Sequence, residues 1–292
     1  MSSHEIYEAI TDRILQLLDQ GTIPWKQPIR SGGLNGRLPT NLLSGRAYRG
    51  INVFLLAMTS VSEGYESPYW VTFRQAKQLD GCVRAREKGT LVVFWKLYES
   101  EDTKTGEMIQ IPVLRKYTLF NTDQCVGVQT PADNQADSMQ SSQSFTPVKE
   151  CVEIVAGYID PPTIAHDGRS PMYVPERDVV QIPRPVRFES AERYYATLYH
   201  ELVHSSGHSS RIDRGLDRIL PPFGSPDYSK EELVAEMGAA FLAAVSGISP
   251  QTIEQSASYI DGWRRSIGSD KKLVVTAAGA AQKAADWILR AR

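Results

Sequence analysis

The residues best suited to do chemistry in this 292-residue chain are His200, Glu201 and His204, which form the pattern His-Glu-x-x-His. On a helix, residues four positions apart lie on the same face, so both imidazoles can reach one metal ion. Glu201 projects toward the open side of that ion, where a carboxylate can take a proton from a water and later give it to a leaving amine. The pattern predicts a metal-dependent endopeptidase that uses Zn²⁺, with Mn²⁺ as the alternative ion.

A catalytic zinc site needs a third protein ligand and an open fourth position. His208 lies four residues beyond the pattern, but Gly207 is expected to end the helix before it, so His208 is only an alternative ligand. A later helix, beginning near residue 229, offers Glu232 and Glu236 on one face. We assign Glu232 as the third ligand, as in gluzincins, and Glu236 as the acceptor for the other ring N–H of a ligating histidine.

The assignment of Glu232 has a structural alternative. Ser229 and Glu232 have the spacing of a capping box, in which the two side chains satisfy the first backbone N–H groups of a helix. If Glu232 only caps the helix, Glu236 becomes the third ligand.

These groups require a helix for the histidines, a second helix for the glutamates and a substrate-binding edge. Ser190 is a plausible N-cap for the first helix, and Gly207 a plausible stop. The segment 172–183 contains a strand that ends in Val179-Val180-Gln181-Ile182. We expect this strand to be an edge that pairs with an extended peptide substrate.

The segment 21–98 carries an excess of positive charge that the whole chain lacks. It contains eleven basic and four acidic residues, whereas the chain has 32 Lys and Arg against 34 Asp and Glu. Aromatic residues are interleaved with the cations, and single-stranded nucleic acid binds such surfaces through base stacking and phosphate contacts. For each aromatic residue, core packing is the alternative. The residues predicted to bind DNA are Trp25, Lys26, Arg46, Tyr48, Arg49, Arg74 and Lys88.

A polar stretch divides the chain. Residues 129–147 are rich in Gln, Ser, Asp and Ala, which predicts a flexible linker between modules 1–128 and 148–292. Mixed helix and strand signals in both modules predict an α+β fold class. No apolar run is long enough to cross a membrane, and three widely spaced cysteines indicate a reducing, cytoplasmic compartment rather than a disulfide framework.

Two sets of motifs carry a resemblance to a known family. The first module resembles the N-terminal, single-stranded-DNA-binding domain of ArdC-type antirestriction proteins, which is shared with TraC primases of conjugative plasmids. The second resembles the zincin-like metallopeptidase domain of the same family, a gluzincin/SPRT-like fold. The matching segments are Gly21-x-x-Pro24-Trp25, Asn41, 45–52, 70–76, 87–89 and Phe120-Asn121-x-x-Gln124 in the first module, and 194–204, 207–211 and 231–236 in the second.

The resemblance implies a plasmid-encoded bacterial protein of the donor or recipient cytoplasm that shields incoming DNA from restriction during conjugation. It also implies a protease-like domain that acts on DNA-bound proteins such as restriction enzymes. Two functions remain open: a DNA-tethered zinc endopeptidase, and a non-enzymatic shield of single-stranded DNA whose metal only stabilises the fold. They differ in whether Glu201 is required.

Overall fold

A computed structural model describes residues 2–27, 38–101, 107–131, 147–166, 170–216, 225–248 and 257–290 of the chain. The chain forms two compact units, one of residues 1–14 and 31–138 and one of residues 15–30 and 139–292. The segment 15–30, which the sequence places in the first module, thus groups with the second. Most of the predicted linker 129–147 lies outside the described residues. Among the described residues, no helix has the length and apolar character needed to span a bilayer.

The first unit is an α+β unit built on a small sheet. Its elements are α1 (Ser3–Asp19, shared with the second unit), β1 (Thr40–Asn41), α2 (Ile51–Glu63), β2 (Tyr69–Val71), α3 (Phe73–Gln78), β3 (Cys82–Val83), β4 (Thr90–Glu101), β5 (Met108–Asn121) and β6 (Cys125–Val126). The main sheet has the order β1-β2-β5-β4, and β3 pairs with β6 separately. Within the main sheet, β1 runs parallel to β2, and the other neighbours are antiparallel.

The hairpin of β4 and β5 is the longest feature of this sheet. It pairs continuously from Thr90 opposite Leu119 to Glu101 opposite Met108. At its inner end, Val92 and Leu119 are buried in an apolar cluster with Leu56 of α2. Toward the tip the side chains become exposed, so the outer hairpin extends beyond the core of the unit.

The second unit combines a three-stranded sheet with packed helices. Its elements are α4 (Pro147–Gly157), β7 (Thr163–Ala165), β8 (Met172–Val174), β9 (Val179–Gln181), α5 (Ala191–Ser205), α6 (Pro226–Ser246), α7 (Ala257–Ser269) and α8 (Leu273–Leu289). The sheet order is β7-β9-β8, with β7 parallel and β8 antiparallel to β9. The strand predicted to be a substrate-binding edge, β9, is therefore the central strand, because β7 and β8 occupy both of its sides.

Close packing of α5 and α6 brings the predicted site together. The contact is tight at Gly238 of α6, where an added Cβ would lie 2.8 Å from both methyl carbons of Val203 on α5. Only a residue without a side chain permits this approach. The other side of α6 packs against the alanine-rich α8, so α6 lies in the interior of the unit.

Candidate functional site

Capping residues fix where the two site helices begin. Ser190 accepts a hydrogen bond from the backbone N–H of Arg193 at 3.2 Å and is the N-cap of α5, as predicted. Helix α6 begins earlier than predicted: Ser225 is its N-cap and Pro226 its first residue. Ser229 therefore lies inside the helix and cannot form a capping box with Glu232, which removes the structural alternative for that glutamate.

Donor atoms of three residues on α5 and α6 converge at one point. The Nε2 atoms of His200 and His204 are 3.1 Å apart. Oε2 of Glu232 lies 3.5 Å from Nε2 of His200, and Oε1 of Glu232 lies 3.5 Å from Nε2 of His204. Ligands about 2.1 Å from a tetrahedral ion are separated by roughly 3.4 Å. The donor set and its spacing therefore fit a divalent metal ion with two imidazoles and one carboxylate, and the three residues form a potential metal-binding group.

The second ring nitrogen of His204 faces a carboxylate that the sequence analysis missed. Its Nδ1 lies 3.2 Å from Oε1 of Glu231. Arg214 binds Glu231 with two hydrogen bonds, from Nε at 3.0 Å and from Nη2 at 2.7 Å. The same guanidinium donates to the backbone oxygen of Val203 on α5, so it fixes the carboxylate against the helix that carries His204. Such outer partners orient a metal-binding imidazole and increase its basicity.

A similar arrangement lies beside His200. Its Nδ1 is 3.8 Å from Oε1 of Glu236, the glutamate predicted to accept from a histidine N–H. The other oxygen of Glu236 is 3.3 Å from Nζ of Lys26, and both side chains are almost fully buried. Lys26 belongs to a short 3-10 turn, Pro24–Lys26, in which Trp25 packs edge-on against Trp263 of α7. Each imidazole is thus backed by a carboxylate, and each carboxylate by a cation.

The electrostatics of the cluster favour a cation. Burial alone would lower the pKa of His204, but its hydrogen bonds with Glu231 and Glu232 outweigh this and raise the pKa to about 10. Burial would likewise raise the pKa of Glu232, but both histidines hold that pKa well below its ordinary value. The negative potential that favours a proton on His204 also favours a divalent ion in the place of that proton.

The remaining predicted residues of this site occupy different positions. Glu201 is buried on α5 next to His200, consistent with a carboxylate shielded from bulk water. His208 lies beyond the end of α5, where its Nδ1 is 2.9 Å from the Oγ of Ser210, and it is not part of the three-residue group. Gly207 permits the close passage of Arg214, whose guanidinium would lie within 3.0 Å of an added Cβ.

The residues predicted to bind DNA fall into two groups. Trp25, Lys26 and Tyr48 are buried, with 1%, 7% and 6% of their surface exposed. Tyr48 packs in the apolar core of the first unit, so none of the three has an open face for a base or a phosphate. The four that are exposed are Arg46, Arg49, Arg74 and Lys88.

Sequence reasoning missed Glu231, Arg214 and the role of Lys26. Glu231 stands beside Glu232 at the start of α6, and a pair of acidic residues there was the signal available. Arg214 follows α5 in a turn, and no spacing rule connects it with a glutamate of another helix.

Two family profiles match this chain. The N-terminal domain of anti-restriction factor ArdC matches residues 4–120, and a zincin-like metallopeptidase domain matches residues 160–280. The chain is 34% identical to the uncharacterized protein y4eC of Sinorhizobium fredii over 97% of this chain and 91% of that protein. It is 33% identical to a DNA primase TraC of Escherichia coli, but it spans only 27% of the length of that primase.

Two crystal structures of the antirestriction protein ArdC from plasmid R388 have the same fold. The metal-free structure is 38% identical, with a TM-score of 0.76 and coverage of 97% of this chain and 96% of that one. The Mn(II)-bound structure is 36% identical, with a TM-score of 0.76 and coverage of 97% of both chains. Taken with the two matched domains, these similarities show that the chain belongs to the ArdC family of antirestriction proteins.

Proposed function

We propose that this protein binds single-stranded DNA and cleaves DNA-associated proteins with a metal-dependent peptidase site, thereby protecting incoming plasmid DNA from restriction in the bacterial cytoplasm. One observation supports the peptidase part: one ligand atom from each of two imidazoles and a carboxylate lies within 4.8 Å of the others, with Glu201 on the same helix as both imidazoles. Zn²⁺ is the proposed ion, and Mn²⁺, which the R388 protein binds, is the alternative.

The residues of the site have distinct proposed roles. His200, His204 and Glu232 hold the ion, which when bound polarises a peptide carbonyl and lowers the pKa of a water. Glu201 accepts the proton of the attacking water at its carboxylate and returns it to the amide nitrogen of the leaving chain. Glu231 keeps the imidazole of His204 in the tautomer whose Nε2 is free to bind the ion, and the carboxylate of Glu236 places negative charge 3.8 Å from Nδ1 of His200.

The DNA-binding part is supported by composition and by family. The exposed cations Arg46, Arg49, Arg74 and Lys88 all lie in the unit matched by the ArdC N-terminal domain. Phosphate contacts release counterions, so binding of single-stranded DNA is expected to weaken as salt rises. A salt-independent affinity would contradict this part of the proposal.

Glu201→Gln tests the peptidase part, because it keeps the volume of the side chain and removes the base. We expect the variant to bind metal as the wild type does and to lose cleavage of casein in the presence of single-stranded DNA. Glu192→Gln on the same helix, far from the candidate ligands, is the matched control and should remain active. The competing function, a non-enzymatic shield with a structural metal, predicts that Glu201→Gln protects DNA during conjugation as well as the wild type. That result would show that protection does not require peptidase activity. A wild type that fails to cleave casein would overturn the peptidase assignment.

A further inference from the structure

The outer part of the β4–β5 hairpin carries aromatic and basic side chains on a single face. In an antiparallel pair, directly opposed residues and every second residue along a strand point to the same side. Phe94 is opposite Arg115, and Val92 is opposite Tyr117. Val92, Val113 and Ile111 lie on the same face. Its aromatic and basic residues, here called the hairpin row, are Phe94, Lys96, Tyr98, Arg115 and Tyr117.

The inner end of the row rests on the core of the first unit. Phe94 lies between the buried Tyr48, at a ring distance of 6.2 Å, and Tyr117, at 5.5 Å. Phe94 and Tyr117 nevertheless keep 42% and 43% of their surfaces exposed. Large aromatic rings that are held in place on one side and open on the other are suited to stack with a flat ligand.

The outer end of the row concentrates positive charge. Nζ of Lys96 lies 5.1 Å from the ring centroid of Tyr98, and the guanidinium of Arg115 lies 5.3 Å from it. Nε of Arg115 also donates to the hydroxyl of Tyr98 at 3.2 Å. Among the residues that the structure describes, no carboxylate forms an ion pair with either cation. Two cations around one ring therefore present charge that an anionic ligand can neutralise.

The opposite face of the hairpin already has neighbours. Tyr7 of α1 packs against Trp95 with ring centroids 6.4 Å apart. The pKa of Glu5 is lowered by hydrogen bonds with Ser2 and, to a smaller extent, by the charge of Lys116. Trp95 is itself 52% exposed, so the two faces differ in the placement of charge rather than in open rings. The hairpin row places two cations around the ring of Tyr98.

We propose that the hairpin row is the surface on which this protein holds single-stranded DNA, an inference that rests on the DNA binding proposed above. Bases stack on Phe94 and Tyr117, and Lys96 and Arg115 contact the phosphates of the same strand. Stacking on aromatic rings does not depend on base identity, and cations beside the rings follow the backbone. The row therefore selects an unpaired strand over a duplex, whose bases are stacked and inaccessible to the rings.

The experiment measures the affinity of the full-length protein for a fluorescent oligo-dT by anisotropy at several salt concentrations. Tyr117→Leu should weaken binding at least about fivefold, since base stacking on one ring contributes about that factor or more. Arg115→Gln should reduce the slope of log affinity against log salt by about 0.7, the value for one phosphate contact to a single strand. Trp95→Leu and Lys116→Gln alter the opposite face and should bind as the wild type does.

Circular dichroism of each variant first checks that the exposed substitutions leave the fold intact. If the wild type fails to bind oligo-dT, the proposed DNA binding fails and the assignment of the hairpin row fails with it. If the wild type binds and the row variants equal the controls, DNA binding stands and the hairpin row is not its surface. Loss in the row variants with binding retained in the controls supports the inference.

Discussion

Lys26 provides the sharpest quantitative prediction, because it is a buried cation whose partner lies beside a candidate metal ligand. Its Nζ is 3.3 Å from Oε2 of Glu236, and the two side chains are 6% and 10% exposed. Substitution of Lys26 by Met keeps most of the aliphatic stem and removes the charge. The carboxylate of Glu236 then remains buried without this counterion. Removing one partner of a buried ion pair lowers the free energy of unfolding more than replacing both partners does.

The expected loss of stability follows from the burial of the pair. Breaking a buried pair by removing one partner costs about 3–5 kcal/mol. Both side chains are almost fully buried, so solvent and salt screen the remaining charge only weakly. We therefore expect Lys26→Met to lose about 3–5 kcal/mol of its free energy of unfolding.

The assay is urea unfolding of the metal-free wild type and Lys26→Met, followed by circular dichroism at pH 7. The double variant Lys26→Met/Glu236→Gln, which has no buried charge at this position, should recover most of the loss. A deficit below about 1 kcal/mol, or no recovery of stability in the double variant, would refute the reasoning. Affinity for oligo-dT should not change, since Lys26 is buried.

Three further substitutions test the framework around the site. Arg214→Gln should weaken metal affinity about 10- to 100-fold by loosening the carboxylate behind the second histidine, as isothermal titration would measure. Gly238→Val should separate α6 from Val203 and lower both metal affinity and melting temperature, whereas an unchanged affinity would show that the close approach is not required. Asp178→Asn removes the charge that pairs with the buried Arg211 and should cost about 1–3 kcal/mol at neutral pH, because Asp178 is partly exposed and Arg211 keeps its hydrogen bonds to two backbone oxygens. Burial would raise the pKa of Asp178, but its hydrogen bonds with Arg211 and Tyr173 hold that pKa below its usual value. The stability that Asp178 contributes is therefore present above pH 3.8 and lost as the pH falls below it. Asp178→Asn should lack this part of the loss of stability that the wild type shows in acid.

Local rules were sufficient for the helix of the histidines. Ser190 as N-cap, the spacing of His200 and His204, and Gly207 beyond the end of α5 each depend on only a few neighbouring residues, and the structure has all three. The start of α6 was also readable, because Ser225 followed by Pro226 is an N-cap signature in its own right. An N-cap at Ser225 places Ser229 inside the helix.

The long-range contacts were not accessible to such rules. Lys26 and Glu236 are far apart in the sequence, so no local rule connects them. A lysine beside a tryptophan is typical of a DNA-binding surface, and only the structure shows that both side chains are buried. In the hairpin of β4 and β5, apolar residues near 91–95 and 115–120 mark only the inner end as buried strands. The strands continue to Glu101 and from Met108, where both faces are largely exposed and hydrophobic periodicity carries no signal.

The grouping of residues 15–30 with 139–292 has a consequence for how this protein can be divided. Trp25 and Lys26, which precede the central polar stretch in the chain, contact Trp263 and Glu236, which follow it. A fragment that begins at the central polar stretch would therefore lack part of the second unit. It would keep Glu236 but lose Lys26, the cation that pairs with it.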